Sequence, residues 1–300
     1  MVSAMDSGLI TVGLPIALAI IMFGLGLSLT VGDFARIGRE PRAVVLALAV
    51  QVLVLPVVAF GLVKGFGLSP LLAVGVMLLA ASPGGTTANL FSHLFRGDIA
   101  LNITLTAINS VLAAFTIPLI TNFAIRHFGA EGELGLQFGK VAGVVALVLV
   151  PVAIGMAVRS RRAELAARAD RPVRVFSIVV LVAIIIGAVL QERENIFDYL
   201  SQVGLVTGLF CLLSLTIGYG SALLLRLSHA QAIAASMEIG IHNTTIALTI
   251  AISILGSTTV AMPSAVYSLL MYLLATAFGF AITRGRKGPG AASTPAPLRA

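Results

Sequence analysis

Charged side chains are what this 300-residue sequence has least of: aspartate, glutamate, lysine and arginine together make up 10%. A soluble domain carries roughly 25%, so this chain cannot clothe a water-facing surface and must be solvated by lipid. Cysteine is nearly absent too. The single Cys211 excludes an intrachain disulfide and any thiolate-cluster metal site. No basic leader precedes the first apolar run, which continues from about Gly8 past Leu27, so no cleavable signal peptide is expected. Enzyme and pump motifs are missing as well: there is no phosphate-binding Gly-x-x-x-x-Gly-Lys-Ser/Thr, no His-x-x-Glu-His-like metal pattern and no Gly-x-Ser-x-Gly. ATP-driven pumping is set aside, and a polytopic membrane enzyme is left as the weakest alternative.

What the sequence does have is long apolar runs. Hydrophobic residues make up 58%, and the mean hydropathy is +1.07. A bilayer core of about 30 Å takes about 20 helical residues to cross. Nine spans are expected on that rule, at 8–31, 43–63, 71–95, 99–125, 138–158, 174–190, 203–225, 230–255 and 262–283. The reading is an all-α polytopic membrane protein with no soluble domain. The tail 284–300, with its Gly, Ser, Pro and Ala, reads as a disordered cytoplasmic segment.

The net charge of +7 sits in the gaps between the apolar runs, so it reports topology rather than nucleic-acid binding. With the N-terminus outside, the inner side receives fifteen basic residues: Arg36, Arg39, Arg42, Arg96, Arg159, Arg161, Arg162, Arg168, Arg171, Arg174, Arg226, Arg284, Arg286, Lys287 and Arg299. The outer side keeps four: Lys64, Arg126, Lys140 and Arg193. This asymmetry predicts a multi-pass inner-membrane protein, N-terminus out and C-terminus in.

Eleven of the twelve acidic residues fall in loops or termini; Glu238 alone lands in mid-span. A carboxylate there costs several kcal/mol unless it meets a cation or takes up a proton. Its surroundings are polar and glycine-interrupted: Glu238-Ile239-Gly240-Ile241-His242-Asn243-Thr244-Thr245. The third span carries a second such patch, Ser82-Pro83-Gly84-Gly85-Thr86-Thr87-Ala88-Asn89. Proline and two glycines free the backbone, and free peptide groups at membrane depth line a cavity or bind something. A proline kink would explain one patch alone. Two interrupted spans, five apart and therefore oppositely directed, point to an inverted-repeat secondary transporter with crossed discontinuous helices.

The chemistry follows from the broken ends. Half-helix N-termini near Thr86 and Thr244 present N–H groups to an anion, with Thr87 beside the first. Freed carbonyls suit a hard cation such as sodium. Neutral oxygens nearby come from Asn102 and Thr106, four residues apart on one face, with Asn109 and Ser110 continuing near it, and from Gln51. Cation/proton exchange is the rival transport reading; it usually places aspartates at the crossing, and no expected span has one. An arsenite-type exporter would want a cysteine beside the break, and Cys211 lies away from both patches.

These two patches resemble the bile acid:sodium symporter family. The likeness rests on Pro83-Gly84-Gly85-Thr86 with Asn89 and Arg96-Gly97-Asp98-Ile99-Ala100-Leu101, on Glu238-Ile239-Gly240 with Asn243, and on Phe23-Gly24-Leu25-Gly26-Leu27 and the Gln51 region. The resemblance implies the family's nine-helix form, with a panel (8–31, 138–158, 174–190) and a core made of the other spans. It implies sodium-coupled import of a small organic anion, bile-acid-like or a smaller carboxylate, by alternating access, with no obligate protein partner. One sodium site would use the Ala88 carbonyl, Asn89, Asn102, Thr106 and Glu238. A second would use Gln51, Glu238, the carbonyls of Ile239 and Ile241, and His242. Thr86 and Asn243 would face the substrate. His242 stands where glutamine is common in that family, and Asn102 where serine is usual. The imidazole either titrates near neutral pH in place of an ion or simply hydrogen-bonds Glu238 or Gln51, so one or two sodium ions are expected.

Overall fold

The computed structural model describes residues 15–16, 18–35, 38–134, 141–169, 172–173, 175–176, 179 and 196–284. Helix α1 is Leu18–Ser28 and α2 is Pro41–Phe66. Proline at its first position opens α2, where no intrahelical N–H is lost. Gly67 closes it at φ +63, with its N–H on Lys64 and that of Leu68 on Val63, a left-handed cap that only glycine takes without strain. Within α2, Val50–Val54 is wound as a π-turn. Pro56 follows at once; it supplies no N–H to the preceding turn, and the register slips there.

The three-residue link to α3 (Pro70–Ala81) folds it back beside α2. Helix α4 (Thr86–Leu94) continues the same span after a break. Asp98 caps the next helix, its carboxylate accepting from the N–H of Leu101 at 2.9 Å, and α5 runs Ile99–His127. Helix α6 is Val141–Arg161 and α7 is Ile196–Leu224. A capping box of Ser228 and Gln231 starts α8 (His229–Gly240). After a second break comes α9 (Thr244–Ile254), whose last five residues are again π-wound. Helix α10 (Thr258–Thr283) ends the described chain.

The broken spans form the centre. Helix α3 packs on α5 and α10, and α8 packs on α4, α5 and α7. Helices α1 and α6 meet backbone to backbone: a Cβ on Gly26 would strike the Val152 carbonyl, and one on Gly155 would strike that of Phe23. Such small-residue contacts let membrane helices approach closely. The outer faces carry exposed apolar side chains, among them Val57 (70% exposed), Leu119 (72%) and Leu273 (70%). Faces of that kind belong against acyl chains. The molecule is a multi-pass membrane protein.

Among the described residues four helices, not nine, are long and apolar enough to cross a membrane: Pro41–Phe66, Ile99–His127, Leu200–Leu224 and Thr258–Thr283. The shortfall has a physical cause. The expected spans 71–95 and 230–255 are each cut into two half-helices, of which neither alone reaches across. The expected fifth span overlaps the 21-residue helix α6, which is not among the four. The start of span 8–31, nearly all of 174–190 and the tail beyond Arg284 lie outside the described residues.

Candidate ion and solute site

The two breaks meet. Ser82, at φ −71 and ψ 139, takes the chain out of helix after Ala81, and Gly85 is also extended before α4 begins. In the other span Ile241 is extended after Gly240. The two unwound links pair as an isolated antiparallel bridge between Gly84 and His242, and the N–H of Asn243 donates to the Pro83 carbonyl at 2.7 Å. Peptide groups freed at membrane depth thus satisfy one another in part. The first turn of α4 has no side-chain cap. That of α9 is capped by Asn243, whose Oδ1 accepts from the N–H of Ile246 at 3.3 Å.

Glu238 lies one turn before the second link and is fully buried. Its carboxylate is turned toward α5. Asn102 Nδ2 donates to Oε2 at 3.1 Å, the Thr106 hydroxyl to Oε2 at 2.6 Å, and Asn109 Nδ2 to Oε1 at 3.1 Å. Asn102 Nδ2 also reaches the Ala234 carbonyl at 3.2 Å. Gly84 lies against the same carboxylate so closely that a Cβ there would fall on it. Glycine in the Pro-Gly-Gly run is therefore required by proximity, beyond its effect on helix winding.

His242 is buried on the other side of the link and does not contact Glu238 through any hydrogen bond in the structure's network. Its Nδ1 lies 3.1 Å from the Tyr267 hydroxyl, and its Nε2 lies 3.5 Å from Gln51 Nε2. Tyr267 donates to the Gly240 carbonyl at 2.8 Å, and Gln51 Nε2 donates to the Ser82 carbonyl at 3.0 Å. Phe210 and Tyr267 flank the imidazole, each with ring centroids 5.4 Å away.

Four amide oxygens near the crossing are buried without a hydrogen-bond partner: Gln51 Oε1, Asn89 Oδ1, Asn102 Oδ1 and Asn109 Oδ1. Buried polar atoms are almost always paired, so four orphans, two of them in amides that donate to the Glu238 carboxylate, ask for a ligand. Neutral oxygens with a single negative charge are the donors a hard cation takes. A cavity of about 10 Å³, room for one water-sized particle, opens between Gln51, Pro83 and Asn109.

The remaining expected site residues fall as follows. Ala88 and Ile239 are buried in the helical turns flanking the breaks, and Ile241 is buried in the link itself. Thr86 and Thr87 form the first turn of α4, and Thr244 is buried at the start of α9. Two further residues belong to the cluster. Asn109 was legible as a near neighbour, since it lies three residues from Thr106 and seven from Asn102 on one helical face. Tyr267 was not; one aromatic residue in an apolar span carries no local signal.

Comparison with known proteins places this architecture. The sodium bile acid symporter family matches residues 15–199, more than half of the chain. The chain belongs to that family. The "Uncharacterized sodium-dependent transporter YocS" of Bacillus subtilis (strain 168) is 32% identical over 254 residues, which cover 85% of this chain and 78% of that protein. The bovine "P3 protein" is 32% identical over 213 residues, 70% of this chain but only 44% of its own length. The "Probable sodium/metabolite cotransporter BASS1, chloroplastic" of Arabidopsis thaliana is 27% identical over 262 residues, 86% of this chain and 64% of that protein. The family is one of transporters, and this symporter-family chain is a transport protein rather than an enzyme. Among the described residues no group of three His, Cys, Asp or Glu could hold a transition-metal centre.

Proposed function

We propose that this chain imports a small organic anion together with sodium. The observation that carries the proposal is the buried carboxylate of Glu238, set where two broken helices cross and beside amide oxygens that lack partners. Glu238, Asn89, Asn102, Thr106 and the Ala88 carbonyl would hold the ion. Asn102 is suited to two duties at once, because its Nδ2 stays on Glu238 while its Oδ1 remains unpaired. A bound alkali cation supplies the positive charge that makes an ionised carboxylate tolerable at this depth.

The anion would sit against the uncapped first turn of α4, with Thr86 and Thr87, and against Asn243 and Thr244 at the start of α9. Helix N-termini favour negative charge, and Asn243, its oxygen committed to the cap, offers its amide nitrogen. Relatives named for sodium and for metabolite cotransport support this pairing of ion and solute; the candidates are bile-acid-like anions and smaller carboxylates. The antiparallel pairing of the links supports oppositely directed repeats, and the Gly26–Gly155 contact supports a panel of α1 and α6 against which the core rocks. In this reading nine spans cross the membrane, with the N-terminus outside.

A thermal-shift screen of organic anions in sodium or in choline tests the proposal. Ligands of the folded state raise apparent stability by mass action. A hit that stabilises in sodium and not in choline is the expected result. Stabilisation by anions to the same extent in both salts would overturn sodium coupling.

A further inference from the structure

Resting on the sodium reading, we infer that this chain binds one sodium ion per cycle and not two, because His242 closes the second position from within. The protons in this cluster can be placed one by one. The Gly240 carbonyl can only accept, and it lies 2.8 Å from the Tyr267 hydroxyl, so the phenol proton points there. The Tyr267 oxygen is then an acceptor toward His242, and Nδ1, 3.1 Å away, carries the imidazole proton. That leaves Nε2 as a bare lone pair.

Gln51 is fixed by the same logic. The Ser82 carbonyl can only accept, so the amide nitrogen, not the oxygen, lies 3.0 Å from it. The same nitrogen lies 3.5 Å from the His242 lone pair. Gln51 therefore turns its donor, not its oxygen, to the second link. A directed series results, from Gln51 through His242 and Tyr267 to the carbonyl of Gly240.

These assignments remove most of the ligands a second ion would need. Gln51 turns its nitrogen, not its unpaired Oε1, to His242, and His242 presents an imidazole nitrogen, a poor partner for a hard alkali cation. Both Glu238 oxygens are turned toward α5, where Asn102 and Thr106 of the first position lie. The carbonyls of Ile239 and Ile241 are left beside His242, with the unpaired Oε1 of Gln51 on the far side of its amide, fewer oxygens than a hard cation takes. The imidazole cannot easily withdraw, being 1% exposed and flanked by the rings of Phe210 and Tyr267. The residues of the second position do not fit sodium, because two nitrogens meet there, whereas Asn89 and Asn102 offer unpaired amide oxygens with no imidazole between them.

Equilibrium binding of radioactive sodium to the purified full-length chain in detergent tests this without any transport readout. The expected result is saturation at one ion per chain with a Hill coefficient near one, abolished by Glu238→Gln. His242→Gln returns an amide oxygen at that place and should raise the stoichiometry to two. Two ions in the wild-type chain would overturn the inference; if Glu238→Gln removed them, the sodium reading would survive it. No saturable sodium binding in the wild type would overturn the sodium reading itself. A monodisperse His242→Gln protein that still binds one ion would refute His242 as the closing group. Should that variant not fold, the wild-type stoichiometry decides alone.

Discussion

At the scale of single residues the decisive group is Glu238. Its carboxylate has three side-chain donors from α5, which offset part of the cost of its burial. A glutamine oxygen in the place of Oε2 could keep two of them, and its amide nitrogen would then face Asn109, whose amide can turn its unpaired Oδ1 to accept. Glu238→Gln should therefore leave the protein folded, within about 1–3 kcal/mol, while removing the negative charge that a cation needs. The expected outcome is a normal gel-filtration profile with no sodium-dependent rise in melting temperature. Gly84 is the complementary case. A methyl group there would fall on the Glu238 carboxyl, so Gly84→Ala should destabilise by about 1–3 kcal/mol, the usual range for overpacking. It should also blunt the sodium response, since either the carboxylate or the link must move. A variant as stable as wild type with an unchanged sodium shift would show that the two links are not held this close.

Elements show how much of this was legible beforehand. The two breaks could be read because proline, paired glycines and clustered hydroxyls are foreign to an apolar helix, and so could Glu238, the one acidic residue in an expected span. The π-turn at Val50–Val54 could not, because a register slip beside Pro56 depends on what the neighbouring helices accept. Nor could the Gln51–His242–Tyr267 series, since its members lie on three elements and meet only through packing. Asn243 illustrates two roles at one position. Its Oδ1 caps α9 and its backbone N–H pairs with Pro83, so loss of anion affinity in Asn243→Ala alone would be ambiguous: the lost cap itself costs about 1 kcal/mol. Asn243→Asp keeps a capping oxygen and replaces the amide nitrogen by negative charge. If the side chain faces the solute, Asn243→Asp should retain near wild-type stability yet bind anions at least tenfold more weakly, by sodium-dependent thermal shift. Equal anion affinity in Asn243→Asp and wild type would remove Asn243 from the substrate shell.

For the whole molecule the claim most exposed to test is orientation, because a direction of transport has meaning only for a chain whose direction in the membrane is defined. The basic residues carry the argument: fifteen against four across the two faces, a bias set as the chain inserts. Helix ends in the structure give addresses for it. Arg126 is exposed near the end of α5, and Arg162 is exposed just after α6. The native thiol does not interfere, since Cys211 is 0% exposed. In intact cells a membrane-impermeant maleimide should therefore label Arg126→Cys and leave Arg162→Cys unmodified until the membrane is opened. Both substitutions leave the inner side with the large majority of the positive charge, so neither should invert the chain. The reverse labelling pattern would turn the molecule over, and labelling of both from outside would mean that α5 and α6 do not place these two sites on opposite faces of the bilayer.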